Sequence, residues 1–180
     1  VISNNMKLKK VLIVQNYIPH YRIPIYNLLS KYYEVTIIHS GSEIFGKNIK
    51  FYSKKLDLLK FGPFFYQRKL KNIVKRQSPD VIIIMFDLRC LSSFALLPSV
   101  KKVKIIFWGL DEGKSSLALK IKLWIGSLGY PQIFYQDYIK NKFISLGMGK
   151  EFCFTANNTF HVERRIKSYN YEKQHLIFVG

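Results

Sequence analysis

Three short polar clusters, each directly after an apolar run, hold the residues best suited to chemistry. The first is the loop Gln15-Asn16-Tyr17-Ile18-Pro19-His20-Tyr21-Arg22-Ile23-Pro24, which follows Val11-Leu12-Ile13-Val14. Arg22 can fork onto a phosphate or carboxylate, and His20 can titrate or donate a hydrogen bond. Tyr17 and Tyr21 add hydroxyls, while Pro19 and Pro24 stiffen the backbone around them. The competing reading is a solvated loop with Arg22 at a helix start. A cation there opposes the helix dipole, which favours a reason for Arg22 beyond helix stability. The second cluster is Phe86-Asp87-Leu88-Arg89, after Val81–Met85. Asp87 and Arg89 suit a binding site at a strand end, or they pair with each other or cap a helix near Ser92. The third is Trp108-Gly109-Leu110-Asp111-Glu112-Gly113, after Val103–Phe107. Its adjacent carboxylates, Asp111 and Glu112, could supply a general base or bind sugar hydroxyls. They could equally be the acidic start of a helix near Ser115.

A fourth pattern is basic and aromatic. Phe61–Gln77 mixes three Phe and one Tyr with five cations, and Leu117–Trp124 is apolar with interleaved Lys. Phe64, Phe65, Arg68, Lys69, Lys120, Lys122 and Trp124 are the candidates to face a membrane. Interfacial helices bury aromatics while Lys reaches anionic headgroups. Ordinary amphipathic helices packed on a sheet have the same composition. Such patterning also suits single-stranded nucleic acid, but no recognisable nucleic-acid module is present.

These clusters need a scaffold that presents strand ends together. Strands are expected at Val11–Gln15, Val35–His39, Ile49–Tyr52, Val81–Met85, Val103–Phe107, Ile133–Tyr135, Phe152–Phe154 and Leu176–Val179. Helices are expected between them at Ile23–Tyr33, Phe64–Arg76, Ser92–Leu97, Ser115–Leu128 and Tyr138–Leu146, with Asp137 as an N-cap and Gly147 as a stop. The first, fourth and fifth strands are nearly continuous apolar runs, which fits a parallel sheet covered on both faces. The fold class is therefore α/β, with a Rossmann-like, doubly wound, mostly parallel sheet. In such sheets ligands bind at the carboxyl ends of strands.

The 180 residues, 48% of them apolar, suffice for one full core, and 16% aromatics argue against disorder. No apolar stretch reaches the roughly 18 residues a membrane span needs. Residues 1–5 do not form a signal peptide, and Met6 reads as a natural start. Cys90 and Cys153 lack metal or redox spacing and are expected as buried free thiols of a reducing cytosol. The net charge of +18 predicts attraction to polyanions: nucleic acid, an anionic membrane or phosphorylated ligands. Lys167–Lys173 is polar and turn-like, the best candidate for a boundary. The strand after it completes the sheet or begins a second domain.

Taken in order, the segments resemble the N-terminal domain of a GT-B glycosyltransferase of the retaining family 4 type. One carrier is the opening Val11–Leu29, with its proline-flanked Tyr21-Arg22 before the first helix. The other is Ile133–Lys140 with Leu146-Gly147, followed by Phe152-Cys153-Phe154-Thr155-Ala156-Asn157-Asn158-Thr159-Phe160. The resemblance implies an N-terminal acceptor-binding domain over residues 6–173 and the first strand of a donor-binding domain over 174–180. It implies transfer, with retention, from a nucleotide-sugar to a polysaccharide or lipid-linked acceptor. The donor is a substrate held mainly by the second domain, and no metal or other cofactor is implied. Under this reading Asp111 and Glu112 are catalytic candidates. His20, Tyr21, Arg22, Asp87 and Arg89 contact acceptor or phosphate, and Asn157 and Asn158 form a hinge. The expected location is the cytoplasm, peripheral on the inner face of the cell membrane, with no nucleic-acid partner. The alternatives from other classes are a single-domain basic nucleic-acid-binding protein and a stand-alone Rossmann-like enzyme.

Overall fold

Seven of the chain's strands pair side by side, all in the same direction. The computed structural model describes residues 8–42, 48–100, 103–111 and 116–157. The chain order is β1 (Lys10–Val14), α1 (Ile23–Leu29), β2 (Glu34–His39), β3 (Tyr52–Lys55), β4 (Leu58–Phe61), β5 (Phe64–Gln67), α2 (Leu70–Gln77), β6 (Val81–Met85), α3 (Leu91–Leu96), β7 (Lys104–Leu110), α4 (Ser116–Ser127), β8 (Gln132–Phe134), α5 (Asp137–Ser145) and β9 (Cys153–Thr155). The main sheet runs β3-β2-β1-β6-β7-β8-β9. Every neighbouring pair in it is parallel. The chain winds outward from β1 to β3, then returns to the other side of β1 with β6. That reversal opens a crevice beyond the carboxyl ends of β1 and β6.

Alternation along the strands separates two apolar layers. Leu12, Val14, Ile82, Ile84, Ile105 and Phe107 point to one face, where Leu70, Ile73 and Val74 of α2, Leu96 of α3 and Ile125 of α4 cover them. Val11, Ile13, Val35 and Ile37 point to the other, against Tyr26 of α1, Phe51 and Trp108. A third cluster joins Leu110 and Phe134 to Phe143 of α5 and to Met148 and Cys153. Helices therefore cover both faces, the arrangement that apolar strands such as Val81-Ile82-Ile83-Ile84 require.

The main departure from the sequence pattern is Phe64–Arg76, expected as one helix. Its first part is instead the second arm of an antiparallel hairpin, β4–β5, with Leu58 opposite Gln67 and Phe61 opposite Phe64. Gly62 turns the chain there with φ +56, a value that suits glycine. Only Leu70–Gln77 is helical. The strand expected at Ile49–Tyr52 begins instead at Tyr52. Asp137 is not the N-cap of α5 but lies in its first turn, its carboxylate taken by Lys140 and by the Thr155 hydroxyl. Gly147, at φ +100, follows α5 as expected. Cys90 and Cys153 are free and buried. The strand expected at Leu176–Val179, and with it the boundary at 173/174, lies outside the described residues.

Candidate functional site

The crevice at the sheet reversal holds a cavity of about 310 Å³, lined by Gln15, Asn16, Tyr17, Pro19, Tyr21, Arg22, Met85, Phe86, Asp87, Arg89 and Tyr135. Three strand ends contribute to it: β1 through Gln15, β6 through Met85 and Asp87, and β8 through Tyr135. The loop after β1 is held from both sides. Gln15 continues the β1–β2 pairing by donating its N–H to the Ile38 carbonyl at 3.0 Å. Its side-chain Oε1 accepts from the Tyr26 hydroxyl of α1 at 2.8 Å. Gln67, fully buried at the end of β5, donates from Nε2 to the Gln15 carbonyl at 3.0 Å and to Ser40 Oγ at 3.1 Å. The hairpin is thus the brace of the cavity wall.

Arg22 is the centre of the site. It is 4% exposed, at the start of α1. Its guanidinium carbon lies 4.6 Å from the centre of the Trp108 ring, 5.5 Å from Tyr135 and 5.7 Å from Tyr21. Nη2 donates to the Tyr135 hydroxyl and Nη1 to Met85 Sδ. Nε has no partner. Burial works against the charge, but the phenols of Tyr135, Tyr26 and Tyr21 outweigh it and hold the guanidinium above its ordinary value. The Tyr135 phenol is itself raised by burial, which Arg22 only partly offsets. It therefore stays a neutral hydrogen-bonding group at physiological pH.

Gly109 makes this packing possible. It sits where the β7–β8 register slips between Trp108 and Leu110. Its φ is +90, and a Cβ there would stand 2.5 Å from the Tyr135 hydroxyl oxygen. Both the backbone twist and the room for Tyr135 require a residue without a side chain.

Asp87 and Arg89 form a bidentate pair, Arg89 Nε to Asp87 Oδ1 at 3.0 Å and Nη2 to Oδ2 at 2.8 Å. The Arg89 backbone N–H also donates to Oδ1 at 3.0 Å. Partial burial pushes the Asp87 carboxyl up, and the hydrogen bonds from Arg89 outweigh it, leaving the acid below its ordinary value. The mutual pairing read as one option in the sequence is present, and Asp87 does not cap α3. Both residues also line the cavity.

The remaining candidates disperse. His20 is exposed, edge-on to Tyr21 at 5.9 Å, and does not line the cavity. Asp111, at the end of β7, has its side chain 69% exposed and ion-paired to Lys122 Nζ. Lys122 Nζ also donates to the Asp111 carbonyl at 2.8 Å. Asn157 is exposed just beyond β9, while Glu112 and Asn158 lie outside the described residues.

The membrane-facing set divides. Phe65 and Lys122 are corrections: both are buried. Strand alternation turns Phe65 inward, and Lys122 shares the sheet-facing side of α4 with Ile125 and Gly126. Arg68 and Lys69 face a separate basic concavity with Lys54, Lys55 and Arg76. Phe64 and Trp124, remote in sequence, meet in an apolar groove of about 560 Å³ with Leu88, Phe94, Leu97, Pro98, Leu117, Ile121 and Leu128. Lys120 is exposed on the same helix, α4.

Sequence reasoning named the cavity's charged residues, Arg22, Asp87 and Arg89, and placed Gln15, Trp108 and Gly109 in its polar clusters without a role of their own, but missed Gln67 and Tyr135 as parts of the site. Tyr135 could have been found by the rule that located the other clusters, since it directly follows a strand. Gln67 carried no such signal, because its segment reads as helix.

A seven-stranded parallel sheet in this order, with a polar cavity at its reversal point, is one half of a GT-B-like architecture. Three solved structures share it. A UDP-N-acetylglucosamine 2-epimerase from Rickettsia bellii matches with a TM-score of 0.60 at 13% identity, over 83% of this chain and 45% of that one. A glycosyltransferase from Rickettsia africae matches with a TM-score of 0.61 at 11% identity, over 84% of this chain and 43% of that one. A UDP-GlcNAc 2-epimerase from Methanocaldococcus jannaschii matches with a TM-score of 0.56 at 17% identity, over 81% and 45%. This chain thus spans less than half the length of the structures it matches. No protein-family profile and no curated protein matches its sequence. Among the described residues no helix is long and apolar enough to cross a membrane.

Proposed function

We propose that this chain is the acceptor-binding half of a glycosyltransferase that moves a sugar from a nucleotide-sugar to a saccharide or lipid-linked acceptor. The observation that carries this reading is the cavity at the β1–β6 reversal, polar and arginine-bearing, in a fold shared with half of a glycosyltransferase. The acceptor sugar lies in the cavity, with Tyr21, Arg22, Asp87 and Arg89 toward its hydroxyls or acidic groups. Asp111, just past the end of β7, and Glu112, next in sequence, are the catalytic candidates. Since one Asp111 oxygen is engaged by Lys122, Oδ2 is the atom left to take a hydroxyl. The donor's diphosphate is stabilised mainly by a second domain, through cationic groups and helix N-termini. Asn157 and Asn158 belong to the link between the halves.

The test is turnover by the full-length protein with a panel of nucleotide-sugars and acceptors. Acceptor-dependent release of nucleoside diphosphate, reduced by Asp87→Asn or Arg22→Met, is the expected result. A second reading, epimerisation of a nucleotide-sugar, is favoured by the two epimerase structures. It would show as solvent-proton exchange at the sugar's C2 with no acceptor present.

The protein docks on the inner leaflet through the groove that joins Phe64 to Trp124. An anionic bilayer is its occupant, because a surface carrying +18 overall attracts anionic headgroups while the groove takes up apolar contact. Binding to vesicles should need anionic lipid and weaken with salt. Equal binding to neutral vesicles would overturn this placement.

A further inference from the structure

The charge on Arg22 is unbalanced. Burying a guanidinium is expensive unless a carboxylate or a full set of acceptors meets it, and arginine cannot escape by losing its proton. Among the described residues no carboxylate lies within ion-pair distance of Arg22. The one acid lining the cavity, Asp87, is taken on both oxygens by Arg89. What Arg22 has instead is the faces of Trp108, Tyr135 and Tyr21, the neutral phenols of Tyr135 and Tyr26 and one thioether sulfur. Aromatic faces stabilise a cation but accept no directed hydrogen bond from Nε, which is left without a partner. The cavity therefore presents two arginines against one carboxylate, with the unpaired cation at the buried end.

Resting on the acceptor reading above, we infer that the cavity selects an acceptor bearing an acidic group, and that Arg22 is the residue that reads it. The shared chemistry is an oxyanion with two oxygens for the guanidinium fork, either the carboxylate of an acidic sugar or a phosphate. Arg22 is suited to specificity because it is held fixed. The 3₁₀ turn His20–Arg22 and Pro24 set its backbone, and Trp108 and Tyr135 hold its plane. The cavity, at about 310 Å³, is at the small end of ligand pockets, roughly 300–1,000 Å³, which suits a single sugar ring rather than a long chain. A neutral sugar in the same place would leave the buried charge as it is. An acidic one completes it, and a site built this way rejects the analogue that lacks the matching group.

The experiment compares methyl glucuronide, methyl glucoside and inorganic phosphate as ligands of the full-length protein, by saturation-transfer NMR and competition. The glucuronide should bind at least about tenfold more tightly than the glucoside. Arg22→Met should abolish that preference, weakening the glucuronide by about tenfold more than the glucoside. Arg22→Lys should restore it in part, and Arg89→Met, at the exposed rim, should keep most of it. If phosphate alone shows the Arg22-dependent binding, the acidic group is a phosphate; if the glucuronide alone does, it is a sugar carboxylate. Equal binding of glucuronide and glucoside with no Arg22-dependent phosphate binding would overturn the inference and leave the saccharide-acceptor reading intact. Absence of any saccharide binding or transfer would remove the acceptor reading instead, and Arg22-dependent phosphate binding would then stand as an anion site alone. Should Arg22→Met fail to fold, the wild-type comparison and Arg22→Lys decide the matter.

Discussion

The cavity and the apolar groove are opposite solutions to the same problem of what to leave at a surface. In the cavity a charged side chain is buried and its ring neighbours are spent on holding it. In the groove apolar side chains are left out: Leu117 is 66% exposed and Trp124 63%. With Ile121 and Leu128 they form a stripe along α4 at helical spacing, on the side away from the sheet. On the sheet side of the same helix stands Lys122. Helix α4 is thus apolar on both sides, with Ile125 in the core and the stripe outside, whereas the Leu70, Ile73 and Val74 of α2 face the core and its cations face solvent. The α4 sequence is the more apolar of the two, but its composition reports only the amount of apolar surface and not where that surface goes. Exposed apolar stripes of this kind mark contact surfaces, whereas α2 is ordinary packing.

Perturbing each region separately sharpens the contrast. The largest effect is expected at the groove. Leu117→Asp with Trp124→Asp should weaken binding to anionic vesicles by about a hundredfold, since each side chain forfeits roughly 1.5–3 kcal/mol of apolar burial. The melting temperature should barely move, because neither residue is in the core. A large loss of folding stability would mean that the stripe is structural. Next comes the cavity. Gly109→Ala should cost about 1–3 kcal/mol in denaturant unfolding through its positive φ and its contact with Tyr135, and should also abolish ligand binding at Arg22. An unchanged cavity affinity would show that Tyr135 does not position the arginine.

Smaller effects should follow from two of the ion pairs. Lys122→Met is expected to change stability by within about 1 kcal/mol. It removes a buried ammonium and leaves behind an Asp111 that water already reaches. The smallest is Asp87→Asn, under about 1 kcal/mol, because Arg89 is mostly exposed. Its signature is in the pH dependence. The Asp87 acid is lowered in the folded state, so its contribution is complete above the ordinary carboxylate value, about 3.9, and is lost as pH falls through the folded one. The variant should therefore lose stability less steeply below about pH 4 than the parent, by acid titration followed with circular dichroism.

How far all this could be read from the sequence depended on the range of the interactions. Val81–Met85 matched its expected strand residue for residue, because a run of branched apolar side chains is decided by local pattern alone. The first two polar clusters were placed correctly at strand ends for the same reason, whereas Trp108-Gly109-Leu110 of the third belong to β7 itself and Asp111 follows it. Phe64–Arg76 misled because cations beside aromatics look helical, while the Gly62-Pro63 turn that makes the hairpin is a two-residue signal. The depth of Arg22 was not legible at all. It is set by Tyr135, 113 positions away, and by a slip in register at Gly109 that no local pattern announces.

The stretch Asp87-Leu88-Arg89 has one further consequence. Asp87 and Arg89 line the cavity, while Leu88 between them lines the groove. Three consecutive residues are therefore a partition with a different chemistry on each side. Inserting or deleting one residue here would rotate the partition and exchange the two linings at once. The two surfaces are thus linked in inheritance: point substitutions can tune either alone, but no change in the length of this segment can alter one without the other.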